Sequence, residues 1–243
     1  MTPPAPPADP THSPARSARR GRPPKAEGAA SGDSAILDAA EALFADHGFD
    51  GVTLRQVAKR AGVDTALVHY YFSTKQGLFD AVFLRRAAIL NEERMRALDA
   101  YERAHGEAMT VAGLMEAFLR PVLEPSTHTG PGWRSYFTLV AQVNNTPVWG
   151  GETMTRYFDP VIHRLIHLLR QVLPGVPDAD IFWAYDMLSG ALTHSMGQTG
   201  RLDLLSGGLC ASADLSTAAD RLVAFATAGF EALRREQAAG GRR

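Results

Sequence analysis

Residues 53–72 read TLRQVAKRAGVDTALVHYYF. Leu54, Val57, Ala58 and Ala61 recur at helical spacing, Thr53 stands where an N-cap belongs, and Gly62 closes the segment. After that tight connection, Asp64 or Thr65 can cap a second short helix running to about Phe72. Ala58 is small enough for two helices to cross closely, and Gly62 suits a left-handed turn. Val57, Val63, Val68 and Phe72 can point inward and lock the angle. This is the build of a helix-turn-helix, in which the first short helix positions the second.

The neighbouring segments supply the frame for that pair. Ile36, Leu37, Ala40, Leu43 and Phe44 fall at helical spacing, and Gly48 follows as a stop. Ser73-x-x-Gln76 reads as a capping box for a long helix from about Thr74 to Tyr101. Further helices are expected over 109–123, 133–143, 158–173, 180–198 and 215–236. No alternating strand run and no fixed-period repeat stands out, so the expected fold class is all-α. Residues 1–30 differ in kind: Pro, Ala and Arg dominate, and no large aliphatic or aromatic side chain follows Met1. Such a segment buries too little apolar surface to offset its ordering entropy and reads as a disordered basic arm. The expected division is therefore an arm over 1–30, a three-helix helix-turn-helix domain over 31–77 and a larger helical domain over 78–238.

Whole-chain composition narrows little by itself. The formal net charge is -1 over 243 residues, so any nucleic-acid surface must be local. Arg16, Arg19, Arg20, Arg22 and Lys25 face only Asp9 and Glu27 in the arm. Cys210 is the lone cysteine, which excludes an internal disulfide and a multi-cysteine zinc site. No apolar run reaches the ~18 to 20 residues of a membrane span, and the start of the chain lacks the apolar core of a secretory signal. The expectation is a soluble, cytoplasmic protein with no membrane partner and no cofactor.

If residues 54–72 are a helix-turn-helix, Arg55, Thr65, Ala66, Leu67, His69 and Tyr70 face outward. Those types suit a major groove. Arg55 can offer two donors to guanine, Thr65 can bond a base edge or phosphate, and Ala66 can touch a thymine methyl. His69 and Tyr70 are flat with polar ends, fit for bases or phosphates at the groove edge. A packed helical hairpin with no DNA role is the competing reading of the same spacing.

The stretch ILDAAEALFADHGFDGVTLRQVAKRAGVDTALVHYYFSTKQGLF carries a resemblance. It is similar to the N-terminal domain of the tetracycline-repressor family of bacterial regulators, above all in the helix ending Tyr-Tyr-Phe, the lysine after it, and Leu78-Phe79. Carried over by position, the resemblance implies Arg55, Thr65, Ala66 and His69 near the bases, and Thr53, Tyr70, Tyr71 and Lys75 on the DNA backbone. His69 departs from the pattern, since many relatives have tyrosine there. Lys75 also has a physical argument: in the first turn of a helix the dipole disfavours a cation, and a docked phosphate would relieve the mismatch. On that reading Lys75→Ala weakens binding to all DNA sequences alike and lowers the salt slope by about one. In the arm, Arg20-Gly21-Arg22-Pro23 is similar to a minor-groove hook, with Arg20 and Arg22 set to enter an A·T groove. A tail that binds phosphates nonspecifically, or only solubilises, fits the same residues.

The family likeness implies that the C-terminal part senses a ligand and dimerises. Two apolar stripes, one with Tyr185, Leu188 and Leu192 and one with Leu222, Phe225 and Phe230, could form a four-helix interface around a two-fold axis. Trp133, Tyr136, Phe137, Val140 and Asn144 share one helical segment, and Trp149, Phe158, Trp183 and Met187 could complete a cavity for an apolar or aromatic small molecule. Each of these is also an ordinary core residue type. His163 and His167 have the spacing of a helical metal pair but share a polar face with Asp159 and Arg170, so no metal site is expected. No nucleophile elbow or phosphate loop is present in the sequence. The function expected is a homodimeric, ligand-responsive regulator of double-stranded DNA, a repressor rather than an enzyme. The alternative is a small helical enzyme or carrier using the aromatic cavity.

Overall fold

The computed structural model describes the backbone of Met1, residues 32–124 and residues 130–240, with side chains except at 131, 147–154 and 240. The fold is all-α, and the described residues hold no strand. Helix α1 spans Gly32–His47, α2 Leu54–Ala61, α3 Thr65–Phe72 and α4 Lys75–His105. A single 3-10 turn follows, and then α5 Val111–Leu123, α6 Pro131–Asn144 and α7 Pro147–Val172. The last three are α8 Asp178–Met196, the short α9 Arg201–Leu205 and α10 Leu215–Gly240.

Local signals set the ends of the first three helices as expected. Gly48 ends α1 with φ 68°, a left-handed conformation. Thr53 caps α2 in a reciprocal box, its Oγ1 accepting from the Gln56 N–H while the Gln56 side chain accepts from the Thr53 N–H. Gly62 closes α2 at φ 69°, and Asp64, rather than Thr65, caps α3 through Ala66 N–H at 2.7 Å. Ile36, Ala40, Leu43 and Phe44 of α1, Val57 and Ala58 of α2, and Val68 of α3 are all buried, which fixes the α2–α3 crossing against α1.

Elsewhere the helices depart from expectation. The cap of α4 is Thr74, whose Oγ1 accepts from Gly77 N–H at 2.9 Å. Ser73 instead takes φ 56°, and the Thr74 N–H reaches back to the Phe72 carbonyl, a tight three-residue turn. Gln76 accordingly bonds Asp80 and has no capping role. Helix α7 starts at Pro147 rather than Phe158, because Pro147 suits a first helical position and Pro160 is tolerated inside. Helix α9 has no counterpart in the sequence reading.

The described residues from Gly32 onward pack as one compact unit. The boundary expected at 77/78 falls inside α4, where Phe79 stacks edge-on to Phe44 (5.2 Å between ring centres) and lies 5.8 Å from Phe83. Phe83 in turn meets Tyr136 of α6 at 5.6 Å. One aromatic chain thus runs from α1 to α6 through the first third of α4. No helix among the described residues is long and apolar enough to cross a membrane.

Candidate nucleic-acid interface and effector cavity

Helix α3 presents its outward face as the sequence pattern requires. Ala66, His69, Tyr70 and Tyr71 are exposed, Tyr70 at 79%, and Thr65 is half-buried at the start of the helix. The Tyr70 and Tyr71 rings meet edge-to-face at 5.3 Å, so each holds the other's orientation. Nδ1 of His69 lies 3.3 Å from the Ser73 carbonyl, which steadies the imidazole against its own helix end. Thr53 and Arg55 are exposed at the start of α2. Leu67 departs from the expected outward set: it packs against the core. The sequence reading also passed over Lys59, one turn beyond Arg55 on the exposed face of α2. The four-residue spacing from Arg55 is its signal. Arg20 and Arg22 lie outside the described residues.

Lys75 behaves differently from the lysine anticipated. Its Nζ donates to the carbonyls of Phe49 (3.0 Å) and Val52 (3.1 Å) and sits 4.2 Å from the centre of the Phe49 ring. The ammonium bridges α4 to the loop that carries the Thr53 cap. The physical reason is direct: the first-turn dipole mismatch is offset inside the chain by two carbonyl dipoles and a ring face.

Behind this head, an ion cluster joins α1 to α4. Glu41, 1% exposed, accepts from Arg85 Nη2 (2.8 Å), Arg86 Nε (2.7 Å) and Arg86 Nη2 (3.0 Å). Arg86 also lies over the Trp133 ring at 4.8 Å. The first turn of α6 approaches so closely that a Cβ on Gly132 would stand 2.7 Å from Glu41 Oε1. Farther along α6, Gln142 Nε2 donates to the Ala45 carbonyl of α1 at 3.0 Å. Helix α6 therefore rests on α1 at both of its ends.

The same helix forms a wall of an internal cavity of about 30 Å³. Tyr136 and Val140 face it from α6, with Arg94 from α4, Phe118 from α5 and Tyr185 and Thr193 from α8 also contributing. Of the residues expected to line a pocket, Tyr136, Val140 and Phe158 do so. Asn144 bonds Thr193 Oγ1 at 3.2 Å, so it braces the wall from behind. Trp133 and Phe137 lie beside Tyr136 in an aromatic cluster rather than on the cavity. Trp183 (65% exposed) and Met187 (68%) stand elsewhere, on the outer face of α8. Trp149 lies outside the described side chains. Arg94 is the cavity residue that the sequence reading missed. It is 5% exposed, and its one hydrogen bond among the described residues runs from Nε to the Phe118 carbonyl at 3.1 Å. Burial pulls its guanidinium down to about 10, with Tyr185 and Tyr136 opposing that shift. Burial likewise pushes the hydroxyls of Tyr136 and Tyr185 up.

The stripes expected at a dimer face divide in two. Leu188, Leu192, Leu222 and Phe230 are buried within the subunit, because α10 packs against α5 and α8 along that side. Tyr185 is largely covered and borders the cavity. Phe225 is 71% exposed, and it shares an apolar groove with Trp183 and Met187. A Cβ added at Gly229, in the same groove, would meet nothing within 4 Å. His163 and His167 are both exposed, and His167 contacts Gln171. No group of three or more His, Cys, Asp or Glu among the described residues could hold a metal ion.

Comparison with known proteins places this geometry in a group. A family model described as bacterial regulatory proteins, tetR family, matches residues 36–82. A second, described as tetracyclin repressor-like, C-terminal domain, matches residues 116–229. The chain is 36% identical over 77 residues to the HTH-type transcriptional regulator BetI of Rhizobium meliloti (strain 1021), covering 26% of this chain and 38% of that protein. It is 32% identical over 78 residues to the HTH-type transcriptional repressor AcnR of Corynebacterium diphtheriae, covering 29% of this chain and 41% of that protein. The chain thus matches well under half the length of these curated relatives. Among solved structures, a candidate tetR-family regulator from Shewanella sp. PV-4 has a TM-score of 0.55 at 17% identity, over 81% of this chain and 96% of that one. A TetR-like transcriptional regulator from Rhodococcus sp. RHA1 has a TM-score of 0.50 at 21% identity, over 80% and 93%. At such identities the likeness is one of fold.

Proposed function

This chain belongs to the tetracycline-repressor family of bacterial transcriptional regulators, and on that premise we propose that it is a homodimeric repressor released from a palindromic operator by a small, mainly apolar effector. The observation that carries the proposal is the double attachment of α6, which walls the cavity with Tyr136 and Val140 and braces α1 through Gln142 and Gly132. An effector that opens the cavity displaces α6, and α6 cannot move without moving α1 and the helix pair packed on it. The two α3 helices of a dimer then lose the spacing that matches successive major grooves. The ligand acts by binding one spacing better than the other.

In the DNA-bound state, Ala66 and His69 face base edges from α3, while Tyr70, Tyr71 and Thr53 meet the backbone. Arg55 reaches a guanine, and Lys59 adds a phosphate contact. Lys75 holds the α1–α2 loop in place for these groups and does not itself reach DNA. The partner copy sits on the groove of Trp183, Met187, Phe225 and Gly229, where large apolar side chains are exposed together. An enzyme or carrier built on the cavity accounts for none of the α3 face.

A gel-shift assay on DNA flanking the protein's own gene tests the operator reading. Saturable, salt-sensitive binding to a palindrome is expected. Absence of any preferred site would overturn it. Sedimentation tests the dimer: Phe225→Asp should yield monomers, and a dimer that survives Phe225→Asp combined with Trp183→Asp would place the interface elsewhere.

A further inference from the structure

The cavity contains a charge with no counter-charge among the described residues. Arg94 falls on the buried stripe of α4, in line with Phe83, Ala87, Leu90 and Leu98, where every other member is apolar. Its guanidinium lies over the Phe118 ring, with Cζ at 3.9 Å from the ring centre, and only Nε is hydrogen-bonded among the described residues. Neither Nη group has a hydrogen-bond acceptor among the described residues. The groups that act on it electrostatically are two tyrosines and no carboxylate; Asp159 and Asp186 act on Tyr185 but not on Arg94. The Tyr136 hydroxyl, fully buried on the same cavity, also has no partner.

The other polar groups of the wall are already engaged. Thr193 Oγ1 donates to the Ser189 carbonyl at 2.9 Å and accepts from Asn144. The Ser189 and Tyr185 hydroxyls bond each other, so the capacity left over among the described residues lies in two guanidinium nitrogens and the Tyr136 hydroxyl, each able to donate. The rest of the wall, including Leu90, Val122, Val140, Phe158, Ile162 and Met196, is apolar. A buried guanidinium without a partner is costly to keep, and a planar two-oxygen anion satisfies its fork.

We propose that Arg94 is the anchor for an effector carboxylate, so that the ligand is a small apolar acid whose oxygens take the two Nη groups of Arg94 and the Tyr136 hydroxyl. This rests on the reading of the cavity as the effector site and names the chemical class it takes. The cavity is small as it stands, with room for a water or two. The apolar body of the acid lodges by spreading α6 from α4 and α8, which is the displacement that release from the operator requires.

The test uses the full-length protein and matched pairs of acid and amide: octanoate against octanamide, and 3-phenylpropanoate against 3-phenylpropanamide. Binding is measured by calorimetry and operator release by fluorescence anisotropy. At least one acid is expected to bind about ten-fold or more tighter than its amide. Arg94→Met should erase that preference while its melting temperature rises, since an unpaired buried charge has been removed. Arg94→Lys should retain part of the preference, and Tyr136→Phe should weaken the acid alone. An amide that binds and releases the operator as well as its acid overturns the carboxylate assignment but leaves the effector site standing. So does an acid preference that survives Arg94→Met. If no member of either pair binds, the carboxylate proposal fails, and operator binding in the gel shift shows separately that the regulator reading stands.

Discussion

Lys75 and Arg94 lie on the same helix, yet they meet opposite surroundings. Lys75 opens α4 and donates to two carbonyls over an aromatic face. Arg94, in the middle of α4, is more deeply buried and has one hydrogen bond. The first cation is satisfied within the chain, so the head of the molecule is a finished rigid body whose remaining polar groups point outward. The second is unsatisfied within the chain, so the cavity presents its donors inward. On the proposed function, one region reads something outside the protein and the other admits something into it. The aromatic chain from Phe44 through Phe79 and Phe83 to Tyr136 and the two contacts of α6 with α1 join the regions.

Four substitutions break or sharpen this contrast, from the largest effect to the smallest. Glu41→Ala leaves Arg85 and Arg86 facing each other without their shared carboxylate, and chemical denaturation should show a loss of about 3 kcal/mol. An unchanged midpoint would mean that the cluster contributes nothing to joining α1 and α4. Lys75→Ala should cost about 2 kcal/mol by the same method, through loss of two charge-assisted bonds. The salt slope of DNA binding should stay as it was. A slope lowered by about one would restore Lys75 to a phosphate and erase the difference between the two cations. Arg94→Met should go the other way, raising stability by about 1 kcal/mol without ligand; a destabilised variant would reveal a partner for Arg94 within the chain. Thr53→Ala removes the α2 cap, which should lower stability by about 1 kcal/mol. Its effect on DNA affinity should exceed what loss of one backbone contact explains only if the cap also orients Arg55.

Much of the head was legible in the sequence because its signals are local. Thr53 with Gln56, Gly62, Asp64 and the Tyr-Tyr-Phe ending each specify a conformation or a face within a few residues. Where two neighbours offer the same chemistry, the signal fails by one position: Ser73 and Thr74 can both cap, and the tight turn at Ser73 decides for Thr74. The internal bonds of Lys75 were not foreseen because its acceptors, Phe49 and Val52, are remote along the chain. The C-terminal part was less legible. A helix with apolar residues on several sides does not say which side meets its own subunit, so Trp183 and Met187 were expected inside and stand outside. Leu188 and Phe230 show the reverse error. Arg94 hid among Glu92, Glu93 and Arg96, which read together as a solvated run. Its signal was the position itself, four residues from Leu90 and four from Leu98.

The central claim is that the outward face of α3, carried on a head whose Lys75 is satisfied within the chain, reads base sequence. Anisotropy titrations of wild type and His69→Ala against the operator palindrome and a scrambled duplex, at two salt concentrations, address it directly. Wild type should prefer the operator by about a thousand-fold or more. His69→Ala should lose affinity for the operator alone, with the scrambled duplex and its salt slope unmoved. Equal affinity of the wild type for both duplexes, or an equal loss on both in the variant, would contradict it.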